Sequence, residues 1–331
     1  MILISSANGD VGMQAGIDIL RSGGSAIDAV EAACRLVEDN LDDHSVGTGG
    51  YPNLRGEVEL DAAIMEGTSR RAGAVAAITD YPNPISVARA VMDRLPQHVL
   101  LVGAGASEFA AEMGFVKRAL LTEESEAAFR RRTITLYGEE YSFNGSVLAK
   151  SNGDGAHVDC APNGLPTPAE LVAGLADPAK TYGTVNFLAI DSENRIASAT
   201  STSGWAFKYP GRTGDTPLIG AGNYCDDRFG ACACTGLGEW AIRASTARAV
   251  VLTMQLGMGL NEACRFAMDD LASIPIAAPI EPVMNLVALD RAGNHAAYAT
   301  MPGRTYIWQK PDMKSFETCE RVLRPVEAPW R

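Results

Sequence analysis

The sequence predicts an α+β protein in which two sheets of antiparallel hairpins are covered by helices. Three observations carry this expectation. Strand-like apolar runs occur in neighbouring pairs joined by short turns, which is the mark of a hairpin. Helical patterns fall in groups between those pairs instead of alternating with single strands. No stretch divides the chain into parts with a core each, so residues 1–331 read as one domain.

The elements follow in order. Residues 12–38, GMQAGIDILRSGGSAIDAVEAACRLVE, read as two helices, with Ile17, Leu20, Ala26, Ala29, Val30, Ala33, Leu36 and Val37 at helical spacing. The break at Ser22-Gly23-Gly24-Ser25 supplies a C-cap glycine and then an N-cap serine, with Asp28 in the box position. A Gly-rich loop, DDHSVGTGGYPNLRG, spans 42–56. EVELDAAIME (57–66) and AGAVAAI make a hairpin around the turn GTSRR. Residues 84–95 start a helix after Asn83-Pro84 and end it at Pro96. His98–Val102 reads as a short buried strand, Ala104–Met113 as a helix and 122–132 as a charged helix. From about 150 to 182 the chain is rich in Gly, Pro and Asp, with one short helix at 168–175. Loops of that length are usually functional or mobile. VNFLAID and IASATS then form a hairpin through SENR, and MNLVALD and HAAYA (284–299) repeat the unit through RAGN. Between them lie a Gly-rich stretch (204–238) and helical stretches at 239–256 and 260–272.

Composition narrows the function. The chain has 331 residues, 47% hydrophobic and 21% charged, with a formal charge of −12. That acidity argues against nucleic acid as a partner, because no basic footprint meets phosphate. No apolar run is long enough for a membrane span. MILISSANGD has no basic n-region, so it does not read as a secretory signal; Met1 is expected to be the start and the protein to be cytoplasmic. Seven cysteines, an odd number over a long chain, do not make a disulfide framework.

Several constellations carry candidate chemistry, each beside a plainer reading. LLVGAGASEF (100–109) has a Gly-x-Gly before a helix but lacks the third glycine of a dinucleotide fingerprint; a tight strand-to-helix turn is the simpler reading. Cys225, Cys232 and Cys234 lack the paired spacing of a zinc site and suit small packed residues. His44 beside Ser45 suggests a Ser–His pair, but no nucleophile elbow supports it, and Asp42 and Asp43 read as a solvated loop. In PGRTGDTP (210–217), Arg212 and Asp215 are either an exposed ion pair or a clamp for a zwitterion. A guanidinium grips a carboxylate with two bonds, and a carboxylate holds an ammonium. CTGLGEW (234–240) is either a Gly-rich helix start or an oxyanion site built from unpaired N–H groups. Thr184, in KTYGTVNFLAID, is either the first residue of a strand or a nucleophile.

Taken in order, GGSAIDAVEAACRLVEDN, HSVGTGG, GEVELDAAIMEG, NPISVARAVM, LLVGAGASEFA, GTVNFLAID, TSTSG, PGRTGDTPLIGAGNY and CTGLGE resemble the glycosylasparaginase and plant-type asparaginase family of N-terminal nucleophile hydrolases. The likeness runs through nearly the whole chain. It implies a four-layer αββα sandwich, two antiparallel sheets between helical layers. It also implies an inactive precursor that cleaves itself between Gly183 and Thr184, giving chains 1–183 and 184–331. A glycine there lets the backbone take a strained conformation.

The resemblance assigns roles by position. Thr184 is implied as nucleophile, and its freed α-amine as base. Such an amine has a reference pKa of about 7.7–8.0 and is available neutral near physiological pH. Thr202 is implied to orient the nucleophile and Ser45 to line the site beside it. Arg212 and Asp215 are implied to hold the α-carboxylate and α-amine, and Thr235 and Gly236 to supply the oxyanion donors. Neither a metal nor an organic cofactor is implied, and the expected assembly is an (αβ)2 dimer. The expected substrate is a small asparagine derivative, foremost N4-(β-N-acetylglucosaminyl)-L-asparagine, with L-asparagine or a β-aspartyl peptide as the alternative. A non-catalytic, unprocessed amino-acid-binding protein is the alternative of another class. Two positions depart from the family pattern. Asn186 stands where many members have glycine, and either adds a polar group to the site or bridges strands. SSANGDVGM lacks the aromatic residue that glycosylasparaginases often place near the N-terminus.

Overall fold

The computed structural model describes residues 1–137, 183–275 and 282–326. In chain order, β1 (Ile2–Ser6) leads through a 3-10 turn (Ala7–Gly9) into α1 (Asp10–Arg21) and α2 (Ala26–Glu38). β2 (Leu60–Glu66) and β3 (Ala72–Ile78) form a hairpin, followed by α3 (Pro84–Arg94), β4 (Leu100–Val102), α4 (Gly103–Glu112) and α5 (Glu123–Tyr137). β5 (Val185–Ile190) pairs with β6 (Ile196–Thr202), and β7 (Asn223–Asp226) with β8 (Gly230–Gly236). Three helices follow: α6 (Gly238–Ala244), α7 (Thr246–Gln255) and α8 (Leu260–Ala272). β9 (Met284–Asp290), β10 (His295–Ala299), β11 (Thr305–Gln309), β12 (Glu317–Glu320) and β13 (Val322–Leu323) complete the described chain.

Two sheets result. The larger has the order β12-β11-β1-β5-β6-β2-β3-β4 and the smaller β13-β10-β9-β8-β7. Strand alternation divides their side chains between layers. Leu3, Phe187 and Ala189 point into the core shared with α1–α4, where they meet Ile17, Val30 and Val91. Their neighbours Ile4, Leu188 and Ile190 point the other way and meet Val287 and Leu289 of the smaller sheet. Leu286 and Ala288 face outward again, onto Trp240, Val250 and Met268 of the second helical layer. The order helix, sheet, sheet, helix is the αββα sandwich.

Helix boundaries follow local chemistry. The Ser25 side chain accepts from the Asp28 N–H and caps α2. α1 lies close on α2 because Gly12 and Gly16 face it; a β-carbon at either position would run into the backbone of Ala33 or Ala29. Ser245, at φ 50°, breaks the helical stretch after 238 into α6 and α7.

Four details depart from the sequence expectation. The sheets are not wholly antiparallel, since β3–β4 and β10–β13 run parallel. The first arises because α3 carries the chain back to the same end of the sheet before β4. β4 lies at the sheet edge and is half exposed, not buried. MILISS is an interior strand: β1 is buried on both faces and so shows no alternation. The Gly-rich stretch hides the β7–β8 hairpin, whose Ala, Cys and Gly residues are buried without being β-branched. The expected loop at 150–182 and its short helix lie outside the described residues.

Candidate active site

Thr184 sits immediately before β5, an inner strand held by β1 on one side and β6 on the other. Val185 pairs with Ser201, which sets Thr184 beside Thr202 at the end of β6. Thr184 is only 8% exposed. Two hydroxyls converge on one carbonyl. The Thr184 hydroxyl donates to the Gly183 oxygen at 2.8 Å, and the Thr202 hydroxyl donates to the same oxygen at 2.6 Å. The Gly204 N–H donates to Thr202 Oγ1 at 2.9 Å, which turns the threonine's own proton toward Gly183.

Ser45 packs directly on Gly183. A β-carbon at position 183 would run into the Ser45 side chain, so any larger residue there has to displace Ser45. The Ser45 hydroxyl donates to Asp43 Oδ1 at 2.5 Å, and the Ser45 N–H donates to the same oxygen at 2.9 Å. Asn8 Nδ2 donates to the other Asp43 oxygen at 2.9 Å. Asp43 is thus half-buried and structural, not part of a solvated loop. His44 turns away from Ser45: its Nδ1 lies 2.8 Å from the Gly49 carbonyl and its Nε2 3.4 Å from Glu124. No Ser–His pair forms.

Arg212 and Asp215 lie on the other side of Thr184. They are not an exposed pair. Arg212 makes two 2.8 Å bonds to the Glu239 carboxylate, and its guanidinium stacks 4.5 Å over the Trp205 ring. Asp215 is buried, and its Oδ2 has no hydrogen-bond partner among the described residues. Burial pushes its carboxyl up to about 7, against the opposing pull of a backbone hydrogen bond and of the Arg212 charge.

Thr235 and Gly236 come from the smaller sheet, at the end of β8. Gly236 has φ +123°, a conformation open to glycine. Asn285, opposite Thr235 in the β8–β9 ladder, donates to Thr235 Oγ1 at 3.3 Å and leaves the threonine's proton free to donate elsewhere. Asn186 bridges strands: its Oδ1 accepts from the Ser6 N–H at 3.0 Å, and its carbonyl accepts from the Ser5 hydroxyl at 2.6 Å.

All eight residues singled out from the sequence therefore gather here. Gly183, Thr184 and Gly236 line two spaces at once. One is a tight pocket of about 10 Å³ that also touches Thr202, Arg212 and Asp215. The other is an open cleft of about 500 Å³ walled by Ser6, Asn8, Asn40, Asp42, Asp43, Asn285 and Arg304. Asn8, Asp43, Asn285 and Glu239 were not singled out as site residues from the sequence: Asn8 and Asn285 reach the site from distant elements, Asp43 reads with Asp42 as a solvated loop, and the motif holding Glu239 reads for its N–H groups alone. The one local signal was Asn285, a lone polar side chain in the apolar run MNLVALD.

The competing motifs have plain structural roles. Cys232 and Cys234 are buried in the core against the second helical layer, and Cys225 is buried between the sheets with its thiol donating to the Met65 carbonyl. Burial raises the thiols of Cys225 and Cys232. Among the described residues no group of His, Cys, Asp and Glu is placed to hold a metal ion. GAGAS is the tight turn from β4 into α4, with Gly103 at φ +53°. No described helix is long and apolar enough to cross a membrane.

A threonine at a strand start, a carbonyl held by two hydroxyls and an Arg/Asp pair thus lie side by side. Comparison with known proteins supplies the family. The family model described as asparaginase matches residues 10–316. The N(4)-(Beta-N-acetylglucosaminyl)-L-asparaginase of Elizabethkingia miricola is 35% identical over 308 residues, covering 91% of this chain and 79% of the relative. The plant-type L-asparaginase of Pyrococcus horikoshii is 37% identical over 296 residues, covering 89% and 86%. The isoaspartyl peptidase/L-asparaginase of Homo sapiens is 33% identical over 285 residues, covering 85% and 79%. The chain belongs to the asparaginase family and is an amidohydrolase.

Proposed function

We propose that the protein is a self-processing threonine amidohydrolase that releases aspartate from side-chain amides of asparagine, foremost N4-(β-N-acetylglucosaminyl)-L-asparagine. The observation that carries the reading is the Gly183 carbonyl, held by the hydroxyls of Thr184 and Thr202 with the Arg212/Asp215 pair next to it.

Maturation uses that geometry first. Thr184 Oγ attacks the Gly183 carbonyl carbon while Thr202 stabilises the oxyanion. The C–N bond breaks, the hydroxyl proton ends on the departing nitrogen, and an ester links Gly183 to Thr184. Water hydrolyses the ester, leaving the Gly183 carboxylate and a Thr184 with a free hydroxyl and α-amine. That amine is then the base that a threonine hydroxyl needs.

Catalysis repeats the chemistry on substrate. Arg212 takes the α-carboxylate and Asp215 the α-ammonium, which places the side-chain amide over Thr184. The freed amine accepts the Thr184 proton and hands it to the leaving amine. Thr235 and Gly236 stabilise the oxyanion. Water then releases aspartate from the β-aspartyl ester.

The leaving group lies in the open cleft. Its neutral and acidic walls, Asn8, Asn40, Asp42 and Asp43, suit the hydroxyls of a sugar amine and support the glycosylated substrate. Arg304, in the same wall, favours a second reading, because its guanidinium would meet the terminal carboxylate of a β-aspartyl dipeptide. Comparing kcat/KM on N4-(β-N-acetylglucosaminyl)-L-asparagine, L-asparagine and a β-aspartyl dipeptide decides between them. The glycosylated substrate is expected to be the best of the three. Preference for the dipeptide would favour the second reading, and turnover of none would sink both.

A further inference from the structure

Lys208 is a buried ammonium that the proposed reaction does not use. It is 1% exposed and stands four residues before Arg212. Its Nζ donates to the Glu59 carbonyl at 3.2 Å and lies 3.8 Å from the Glu59 carboxylate. Burial lowers this amine, and the charges of Asp61 and Glu59 hold it up.

The same two acids grip both flanks of Arg212. The Glu59 carboxylate accepts from the Gly211 N–H at 3.0 and 3.1 Å. Asp61 Oδ1 lies at 3.4 Å from the Thr213 hydroxyl, which donates to it, and accepts from the Ala77 N–H at 2.8 Å. Asp61 Oδ2 has no hydrogen-bond partner among the described residues. Gly204 separates the two cations: a β-carbon there would lie 3.0 Å from Lys208 Nζ and 3.5 Å from Arg212 Nη1. The Gly204 N–H is also the donor to Thr202.

A buried ammonium is costly, and a well-packed apolar side chain would serve stability as well or better. What the lysine supplies is charge. Without it, the Glu59 and Asp61 carboxylates flank Arg212 without the ammonium they share, and they compete with any anion that Arg212 is meant to hold.

We infer that Lys208, Glu59 and Asp61 form a buried ionic cradle that aims Arg212 at the substrate's α-carboxylate, which makes all three positioning residues for substrate affinity. The inference rests on the proposed amino-acid clamp and adds the groups that hold it. It separates affinity from chemistry, because none of the three touches the reacting atoms.

The test is Lys208→Met beside wild type, with processing followed on a denaturing gel. Three constants are read: kcat and KM on an L-aspartate β-anilide, and Ki for L-aspartate as a competitive inhibitor. KM and Ki are expected to rise about tenfold while kcat changes less than about threefold. KM and Ki within about twofold of wild type, whatever the change in melting temperature, would overturn the cradle. So would a fall in kcat with KM unchanged. If Lys208→Met does not yield soluble protein, Glu59→Gln removes a charge and keeps an acceptor for Gly211. There, one competing carboxylate fewer faces the anion, so a fall in KM of about threefold supports the cradle and an unchanged or raised KM overturns it. Wild type that neither cleaves the anilide nor binds L-aspartate overturns the amino-acid site itself, an outcome distinct from a wild-type-like variant.

Discussion

Asp215 makes the reaction pH-dependent at the level of one carboxyl. It must be ionised to hold an ammonium, and burial pushes it up to about 7. Substrate affinity is therefore expected to rise with pH, with 1/KM climbing up to about tenfold per unit below neutrality and levelling above it. Asp215→Asn should remove that rise together with most of the affinity. Steady-state kinetics across pH checks both. At Arg212, lysine keeps the charge but loses the two-pronged grip and the stacking on Trp205. Arg212→Lys is expected to cost on the order of 10- to 100-fold in kcat/KM, mostly through KM. These residues were legible in the sequence because each sits in a short motif with its own chemical logic. Glu239 was not, since a carboxylate 27 positions from Arg212 meets it only through the fold, and Asn285 offered no more than a lone polar side chain in an apolar run.

At the scale of elements, the site is a meeting of strand ends. β5 begins where β1, β6 and β8 finish, so three segments bring residues to one site around Thr184. The loop after α2 adds Ser45, which fills the space a side chain at 183 would need. Gly183→Val is expected to fold yet remain as one chain on a denaturing gel. Cleavage at the wild-type rate would show that Ser45 yields easily. The hairpins flanking the site were readable because Val, Ile and Phe mark them. β7–β8 was not, because its small residues pack in a core without announcing a strand. β1 escaped for the related reason that a strand buried on both faces has no polar face to alternate with.

At the scale of the whole molecule, the sheet order has a consequence for maturation. β1 lies between β11 and β5, and β2 beside β6, so strands from before and after Thr184 interleave in one sheet. Cleavage before Thr184 breaks one bond and no ladder. The two fragments are expected to co-purify under native conditions and to separate only in denaturant; separation on native gel filtration would contradict the interleaving. Stability carries a second signature. Glu38, the last residue of α2, is buried, accepts from the Ser201 hydroxyl at 2.7 Å and the Ile85 N–H at 3.0 Å, and is raised by burial to about 8. Between the ordinary carboxyl value of 4.5 and about 8, the folded chain keeps a proton that the unfolded chain has lost. Stability therefore falls as pH rises through that window. Asp215 adds to the fall up to about 7. Asp191 and Asp226, held low chiefly by hydrogen bonds, contribute above the ordinary carboxylate range and lose their contribution as pH drops below it. Glu38→Gln is expected to flatten the decline toward pH 8. Thermal melts of both proteins across pH read it.

The sharpest test is intact mass and N-terminal sequencing of purified wild type and Thr184→Ala. Wild type should yield a fragment ending at Gly183 and one beginning at Thr184, and the variant a single uncut chain. An uncut wild type after long incubation would leave Thr184 without the free amine that activates it. Thr184 would then be no more than the residue that opens β5.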